Sequence, residues 1–334
     1  MSANSSEDAG PTPAWSAPPG SRDGPPPPPV GPRDPADHWH DCRCGGRHWG
    51  LEGAAGLLVS RGDEVLLQLR APRSHHGGTW GLPGGARQAG ERPLAAALRE
   101  GREEAGLDVA QLAPTWWSIA DHGDWSYTTF AVGVSCGLAD DITGEAGAEG
   151  AGGVLVEEPN WETSALAWVP KAEVGRYDLH PGLAAAWPTL EPLIGQRARL
   201  IVDAANVVGS RPDGWWRDRA GAAIRLRDRL EPLAAAGLAN IWSEAPNGWF
   251  PEVTMVVEGQ ARGIGQGRDV RVVDAPGEGD DQIVATARQA VRTAPGPVLV
   301  ATADKGLITR IRAVGALPLR GRYLFMLTEP DSES

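Results

Sequence analysis

Glu100, Glu103 and Glu104 follow the i, i+3 and i+4 spacing that places three side chains on one face of a helix. The segment around them predicts that helix, because Pro93 suits its first turn, good helix formers follow, and Gly106 supplies a stop. Three like charges on one face repel one another, and a hard divalent cation such as Mg2+ or Mn2+ would offset that cost. The alternative is an ordinary charged face in contact with solvent.

The same glutamates lie within a longer array whose glycine-rich start can bend tightly and approach a ligand closely. The array runs Trp80-Gly81-Leu82-Pro83-Gly84-Gly85-x5-Glu91-x7-Arg99-Glu100-x2-Glu103-Glu104-x-Gly106-Leu107. It resembles the Nudix box, and the resemblance covers roughly residues 50–197. It implies an α/β/α sandwich and Mg2+- or Mn2+-dependent hydrolysis of a nucleoside diphosphate derivative, by water attack at phosphorus. One aliphatic position of the box is Gly101, which removes a core contact and costs the helix ~1 kcal/mol relative to alanine.

The resemblance implies a role for each charged member of the array. Glu91 and Arg99 match the pair that holds the preceding loop against the helix, and Gly85 matches a conformationally special glycine. The implied metal ligands, one of which is able to deprotonate the attacking water, are Glu100, Glu103 and Glu104.

The box does not name the group attached to the diphosphate. An oxidised nucleotide, ADP-ribose, a dinucleoside polyphosphate and a capped RNA end all present the same pyrophosphate. Glu162 precedes the predicted strand Ala165–Val169, where some Nudix enzymes have an auxiliary acid, and the resemblance makes it a candidate for that role. Aromatic faces on which a nucleobase would stack, with packing in the core or on the surface as the alternative for each, belong to Trp116, Trp117, Trp125 and Tyr127.

A cluster of soft ligands precedes the array, in the segment His38-x-His40-x-Cys42-x-Cys44-x3-His48. Thiolate and imidazole together suit a tetrahedral zinc ion, and the candidate ligands are His40, Cys42, Cys44 and His48. The Cys-x-Cys spacing differs from the usual Cys-x2-Cys with a second pair further on. The alternative is a partly ordered lead-in whose Trp39 and Trp49 pack on the domain that follows.

The pattern changes after Gln196. Short, nearly all-apolar, β-branched runs at residues 200–204, 253–257, 270–273 and 298–301 alternate with helical stretches at 215–236, 280–293 and 305–314. This alternation is typical of a parallel α/β sheet. Acidic residues follow the runs, and the carboxyl ends of parallel strands form one edge of a sheet, where open α/β folds bind ligands.

Three short motifs at those strand ends resemble the NYN branch of the PIN-like nucleases, especially the YacP-like group. They read Val202-Asp203-Ala204-Ala205-Asn206-Val207-Val208-Gly209, Gly279-Asp280-Asp281-Gln282-Ile283 and Thr302-Ala303-Asp304. The resemblance implies a three-layer α/β domain with a mainly parallel sheet, acting as a metal-dependent ribonuclease or RNA-binding module. It assigns the metal site to Asp203, Asp280 and Asp304, with Asn206 and Asp281 as further members. The alternative is a module whose aspartates only cap helices.

Composition and charge complete the predicted organisation. Five segments are expected: a disordered Pro-rich arm at 1–37, a Cys/His lead-in at 38–50, a Nudix domain at 51–197, an NYN/PIN-like domain at 198–327 and an acidic tail at 328–334. The net charge of -12 argues against a protein that coats nucleic acid with its whole surface. Residues 1–198 carry that charge, whereas residues 199–327 carry +3 and the tail carries -3.

Three cysteines, the absence of a visible signal segment and the absence of a long apolar stretch favour a reducing cytoplasm. Two function classes remain open. The first is a Nudix pyrophosphohydrolase with an accessory ribonuclease or RNA-binding domain. The second is an RNA-processing endonuclease whose Nudix half senses a nucleotide or an RNA end. A purely regulatory protein is a third alternative, which three retained glutamates argue against.

Overall fold

The computed structural model describes residues 34–134, 160–210, 215–321 and 323–324. The chain divides into two compact units, Met1–Ile194 and Gly195–Ser334. The acidic tail, Cys136 and residues 1–33 of the predicted arm lie outside the described residues. The arm prediction is wrong at its end, because Asp34 Oδ1 accepts the backbone N–H of Ala89 at 3.1 Å and Ala36 is buried. Among the described helices, none combines the length and the hydropathy that a membrane span requires.

The first unit contains nine strands and two α-helices that the structure describes. The strands are β1 (Trp39–Asp41), β2 (Arg47–Trp49), β3 (Ala54–Arg61), β4 (Glu64–Arg70), β5 (Trp80–Gly81), β6 (Gly84–Ala86), β7 (Leu112–Asp121), β8 (Ser126–Val134) and β9 (Thr163–Pro170). The helices are α1 (Pro93–Ala105) and α2 (Pro181–Leu190).

A mixed sheet organises this unit around β3. Strand β3 pairs antiparallel with β4 and β6 and parallel with β8, which in turn pairs antiparallel with β7. Strand β4 also pairs antiparallel with β5 and β9. Strands β3 and β4 form a hairpin, since Ser60 pairs with Val65 across the turn. The apolar runs of β3 and β4 are buried, which fits strands in the middle of a sheet covered on both faces.

Helix α1 packs on β3, β6 and β8 and carries the glutamates to the edge of the sheet. Its predicted ends are confirmed: Pro93 opens the first turn, and Gly106 closes the helix with a φ of 63°. The sequence suggested that Gly101 removes a core contact, but the structure has no gap at this position. A Cβ there would lie 2.6 Å from Leu57 Cδ1, so the leucine of β3 occupies the space of the missing side chain.

Helix α2 ends in a change of helix type. The α-helix stops at Leu190 and a 3-10 turn follows at Glu191–Leu193. Pro192 lies in that turn and has no N–H to donate to an α-helical partner, which ends the regular ladder.

The second unit is an α/β fold in three layers. Its strands are β10 (Arg199–Asp203), β11 (Leu238–Ala239), β12 (Gly248–Trp249), β13 (Glu252–Val257), β14 (Val270–Asp274), β15 (Val298–Ala301) and β16 (Leu317–Leu319). Its helices are α3 (Ala204–Gly209), α4 (Arg219–Ala236), α5 (Gly279–Thr293) and α6 (Lys305–Ala313).

The predicted parallel sheet is confirmed, with strand order β14-β13-β10-β15-β16 and parallel pairing throughout. Alternate residues of β10 enter two separate cores: Leu200 and Val202 pack with α4, whereas Ile201 packs with α5 and α6. Several details differ from the prediction. Ala204 opens α3 instead of ending β10, because Asp203 caps that helix. The helix predicted over 215–236 becomes α-helical only at Arg219, after a 3-10 turn at Trp215–Arg217, and the short strands β11, β12 and β16 were not predicted.

Candidate active site and metal centres

The guanidinium of Arg99 connects four groups of the first unit. Its Nε and one terminal nitrogen donate to the two carboxylate oxygens of Glu91, each at 3.0 Å, in the forked geometry that arginine makes with a carboxylate. The same terminal nitrogen donates to the carbonyl of Ala86 at 3.0 Å. The other nitrogen donates to Glu100 at 2.7 Å and Glu103 at 3.3 Å. Arg99 therefore ties the loop before α1 to the glutamate face.

Glu104 is a buried carboxylate, with 2% of its surface exposed. Its Oε2 accepts the backbone N–H of Gly84 at 2.8 Å, and its backbone carbonyl accepts the hydroxyl of Thr163 at 2.6 Å. Burial, and then the charge of Glu100, raises the pKa of the Glu104 carboxyl above its ordinary value. The last turn of α1 is thus joined to the glycine-rich loop and to the start of β9.

The carboxylate of Glu100 lies so close to the backbone of Gly85 that position 85 has no room for a side chain. A Cβ on Gly85 would lie 2.7 Å from Glu100 Cδ, so a larger residue would displace the carboxylate. Gly85 is absent from the described glycines with positive φ, so its role is to provide space and not, as predicted, an unusual conformation. Burial raises the pKa of Glu100 to about 7, although the charge of Arg99 opposes the shift.

Glu162, the predicted auxiliary acid, approaches the same face from the residue before β9. Burial raises the pKa of its carboxyl, the charge of Arg70 and the contact with Glu104 lower it, and the charge of Glu103 raises it further. Glu103 is the most open of the four, with 53% of its side chain exposed. The structure therefore brings together Glu100, Glu103, Glu104 and Glu162.

This donor set fits a hard divalent cation. All four groups offer carboxylate oxygens, which Mg2+ and Mn2+ prefer. Burial is the main cause of the raised pKa values of Glu100 and Glu104, and the charges of neighbouring carboxylates add to it. A cation among the carboxylates would stabilise their ionised forms.

The aromatic candidates do not form one stacking surface. Trp116 is fully buried and donates its indole N–H to the carbonyl of Leu193 at 3.0 Å, so its faces are not open to a base. The phenol oxygen of Tyr127 lies against Gly84 and Gly56, beneath the glutamates, and burial raises its pKa. Trp117 is half-buried in β7. Trp125 stacks on a histidine of the Cys/His cluster, with ring centroids 4.1 Å apart.

The Cys/His cluster lies on the hairpin β1–β2 and meets the β7–β8 turn. Cys44 Sγ is 3.3 Å from His48 Nε2, and the Cys42 thiol donates to Asp124 Oδ1 at 2.9 Å. His40 Nε2 is 3.5 Å from the other oxygen of Asp124. The four predicted ligands are thus gathered, and sequence reasoning missed Asp124 because it lies 82 residues from Cys42.

A second group of ring nitrogens was also missed from sequence. His75, His76 and His180 place one nitrogen each within 4.8 Å of the others. His180 Nδ1 accepts the N–H of Gly182 at 3.1 Å, so the neutral ring carries its proton on Nε2. Burial, and then Arg70, lowers the pKa of His180 to about 4. This tautomer makes Nε2 a hydrogen-bond donor and not a free metal ligand.

In the second unit, the predicted acids gather at the carboxyl edge of the sheet. Asp203 is buried; its Oδ1 accepts the backbone N–H of Asn206 at 3.1 Å and its Oδ2 accepts the hydroxyl of Thr302 at 2.9 Å. Burial raises its pKa, and Asp280 and Glu258 add to the shift. Burial and the charge of Asp304 raise the pKa of Asp280 in the same way.

The weaker members of this set have other roles. Asp281 is exposed and forms an ion pair with Arg310. Asn206 accepts the backbone N–H of Ala303 at 2.8 Å, which joins α3 to the loop after β15. Asp304 accepts the N–H of Leu307 as the cap of α6. The capping alternative is therefore compatible with Asp203 and Asp304.

Ligand atoms in the two acidic sites are more widely spaced than in the histidine and cysteine clusters. In the described part of the chain, the groups of three within 4.8 Å are confined to those clusters, and neither the Glu100 face nor the Asp203 edge is among them. Arg99 separates Glu100 from Glu103, and Arg310 lies 4.0 Å from Asp280.

Comparison with known proteins identifies the family that the first unit resembles. A family model, NUDIX domain, matches residues 50–190. A Mycobacterium tuberculosis protein named "Putative 8-oxo-dGTP diphosphatase 3" is 41% identical over an alignment of 169 positions, and the match covers 47% of this chain and 70% of that protein. A Bifidobacterium longum nucleoside triphosphate pyrophosphatase/Nudix hydrolase fusion protein is 36% identical over 169 residues, and the match spans 32% of its length.

Two solved structures are also similar. The Nudix hydrolase RenU from M. smegmatis is 38% identical, and the match covers 47% of this chain and 94% of that chain with a TM-score of 0.39. A point mutant of Rae1 (YacP) from Bacillus subtilis is 20% identical, with 39% and 74% covered and a TM-score of 0.31. These scores add nothing to the assignment of either unit.

Proposed function

Because the chain belongs to the Nudix hydrolase family, whose members act on phosphorus-containing anhydrides, we propose that its first unit is a Mg2+- or Mn2+-dependent pyrophosphohydrolase of nucleoside diphosphate derivatives. One observation carries the proposal. The buried carboxylate of Glu104 is held by the backbone N–H of Gly84, beside Glu100 and within hydrogen-bonding reach of Glu162. Ionisable groups with raised pKa values that face one another in this way are typical of sites that bind a cation or transfer protons.

Glu100, Glu103 and Glu104 would hold the divalent cation. When bound, such a cation neutralises charge on phosphate oxygens and lowers the pKa of a coordinated water. Arg99 orients the carboxylate of Glu100 and holds the loop that carries Gly85. Glu103 is open to solvent and accepts the proton of the attacking water in this proposal. Glu162 adjoins Glu104 from β9 and acts as the auxiliary acid.

The substrate class follows from the relatives by analogy. The mycobacterial relative is named for 8-oxo-dGTP, so an oxidised purine nucleoside triphosphate is the first substrate to test. ADP-ribose, a dinucleoside polyphosphate and a capped RNA end present the same bond and complete the panel. Trp117 is the remaining aromatic candidate for base contact, since Trp116 is buried and Trp125 stacks on His48.

The test is turnover of this panel with Mg2+ or Mn2+, read as product release. Glu103→Gln and Glu104→Gln are expected to lose activity while remaining folded, and Glu52→Gln, an exposed glutamate outside the site, is the matched control. Full turnover in both site variants would contradict the proposal.

We further propose that the second unit is a metal-dependent ribonuclease or RNA-binding module. What supports this is the shared edge where burial and neighbouring carboxylates, Glu258 and Asp304 among them, raise the pKa values of Asp203 and Asp280. Carboxylate oxygens from β10, α5 and the loop after β15 are the kind of ligand that Mg2+ and Mn2+ prefer. The charge of +3 over residues 199–327 is compatible with a polyanionic partner.

A labelled single-stranded RNA separates the two function classes. Cleavage that Asp203→Asn abolishes and Glu103→Gln preserves would assign the nuclease to the second unit and favour an RNA-processing endonuclease with a sensing Nudix half. Asp269→Asn is the matched control, because Asp269 is exposed and paired with its neighbour Arg268. RNA retention without cleavage would indicate a binding module. If the intact protein neither cleaves nor retains the RNA, the second proposal is refuted.

A further inference from the structure

We propose that the first unit binds one structural Zn2+ through Cys42, Cys44 and His48 of the hairpin β1–β2, with Asp124 of the β7–β8 turn as the fourth ligand. The ion would crosslink the hairpin β1–β2 to the β7–β8 turn, which lies about 80 residues further along the chain. This site lies outside the glutamate face and has a different ligand chemistry, so it does not depend on the proposed hydrolase activity.

The distances between the ligand atoms suit a tetrahedral ion. Zinc bonds of ~2.3 Å to sulfur and ~2.0 Å to nitrogen or oxygen place neighbouring ligand atoms roughly 3.5 Å apart. Cys44 Sγ and His48 Nε2 are 3.3 Å apart, and Cys42 Sγ lies 2.9 Å from Asp124 Oδ1. One ligand atom each from Cys42, Cys44 and His48 lies within 4.8 Å of the other two. Asp124 belongs to a second such group with His40 and Cys42, so Cys42 is common to both groups and the ion would draw Asp124 toward Cys44 and His48.

A tight turn in the hairpin brings the two sulfur atoms of the short Cys-x-Cys segment to the same side. The backbone N–H of Cys44 donates to Cys42 Sγ at 3.5 Å, and Gly45 N–H donates to the carbonyl of Cys42 at 2.9 Å. Gly45 has a φ of 85°, which closes the turn. His48 returns on the opposite strand, so the third ligand comes from cross-strand pairing and not from a second cysteine knuckle.

Neighbouring side chains hold the ligands in place. Trp125 stacks on the His48 ring at an angle of 12° and donates its indole N–H to the carbonyl of Gly50 at 2.9 Å. Asp124 Oδ1 also accepts the backbone N–H of Arg43 at 3.1 Å, and its Oδ2 faces His40. His40 is therefore a positioning residue that orients the carboxylate, as outer-shell partners of metal ligands commonly do.

Thiolate and imidazole ligands favour zinc over Mg2+, so the two metal sites are distinguishable by composition. The full chain, grown with zinc and purified without chelator, is expected to contain one zinc per chain by elemental analysis. Cys42→Ser, Cys44→Ser, His48→Asn and Asp124→Asn are each expected to lose it. His40→Gln and Cys136→Ser, together with Glu103→Gln to exclude the glutamate face, are expected to retain it.

Cobalt substitution provides a second readout. The Co2+ protein should show a thiolate-to-metal absorption band that is absent in Cys42→Ser, because this variant no longer holds the ion. Zinc removal should lower the Tm of the wild type and leave the Tm of Cys44→Ser unchanged. A wild type without zinc would overturn the site, and loss of zinc in His40→Gln with retention in Asp124→Asn would overturn the assignment of the fourth ligand.

Discussion

Gly84 donates its backbone N–H to Oε2 of Glu104 at 2.8 Å, across 20 residues of chain, and fixes a buried carboxylate at the end of α1. Because a backbone donor makes this bond, no side-chain substitution in the loop removes it directly. Charge on Glu104 is thereby stabilised locally while its burial opposes ionisation. The loop and the helix are therefore coupled through a group that the proposed chemistry needs.

Substitution of Glu104 by glutamine is expected to keep the fold and remove turnover. The amide oxygen still accepts the Gly84 N–H, so the loop stays in place, but one negative charge at the proposed cation site is lost. We expect kcat to fall by roughly 10²–10⁴ in Glu104→Gln and in Glu103→Gln. Steady-state kinetics with excess Mg2+ and the Tm of each variant check this. A fall in Tm of Glu104→Gln that accounts for its lost activity would contradict it.

A methyl group at position 85 is expected to displace Glu100. The Cβ of Gly85→Ala would lie 2.7 Å from Glu100 Cδ, closer than real carbon atoms approach, so the carboxylate must move. Activity should fall at least tenfold while circular dichroism stays that of the wild type. Gly175→Ala is the matched control, since a Cβ there meets nothing within 4 Å and its backbone needs no positive φ. Equal activity in the two variants would refute the steric role.

The stability of the metal-free protein should depend on Glu100 between pH 4.5 and 7. Its pKa is raised to about 7 in the folded state, so over this window the folded chain binds more protons than the unfolded chain. The contribution is present at low pH and is lost as the pH rises through 7, by roughly 3 kcal/mol at most.

Another group works against that trend. The pKa of His180, lowered to about 4, adds stability as the pH rises between about 4 and 6.5. The informative quantity is therefore the difference in unfolding free energy between wild type and Glu100→Gln, measured by urea denaturation in chelator. The unfolding free energy of the wild type minus that of Glu100→Gln should become more negative from pH 5 to pH 7.5, because only the wild type has a carboxyl that ionises at this position. A constant difference would contradict the raised pKa.

Lysine at position 99 is expected to be a poor replacement. An ammonium group cannot make the forked pair with Glu91 and also reach Ala86 and Glu100. Arg99→Lys should lose about 2 kcal/mol or more of unfolding free energy. Arg102→Lys, an exposed site on the same helix, should change it by less than ~0.5 kcal/mol. Equal losses at both sites would show that the arginine geometry is unimportant.

Local signals in the sequence were enough to predict the glutamate helix and the parallel sheet. Pro93 and Gly106 act within one turn of chain, and the all-apolar run of β10 is what a strand covered on both faces requires. The Nudix resemblance suggested Glu162 as an auxiliary acid, and in the structure its carboxyl lies near Glu104.

Features that depend on contacts between residues far apart in the sequence could not be predicted from local patterns. The meeting of Cys42 with Asp124 requires the β7–β8 turn to reach the hairpin, which no local pattern encodes. Trp116 looked like a base-stacking residue because its type suits that role, but the register of β7 turns it into the core. The strand β16 is three residues long and carries too little pattern to predict.

Gly101 provides the sharpest test of how α1 packs on the sheet. Helix propensity alone predicts that Gly101→Ala stabilises the protein by ~1 kcal/mol. The structure predicts the opposite, because the new Cβ would lie 2.6 Å from Leu57 Cδ1 and 3.2 Å from Leu107 Cδ1, and overpacking of this kind costs about 1–3 kcal/mol.

The collision can be separated from other effects by a double-mutant cycle with Leu57→Val, which removes the colliding methyl group. Leu57→Val alone should destabilise by about 1 kcal/mol or more through the lost contact. Combined with Gly101→Ala, it should destabilise by less than the sum of the two single changes, since each substitution relieves the other. Urea unfolding of the four proteins gives the coupling energy, expected at about 0.5–3 kcal/mol. Additive effects within ~0.3 kcal/mol would mean that Leu57 does not occupy the space of the missing side chain.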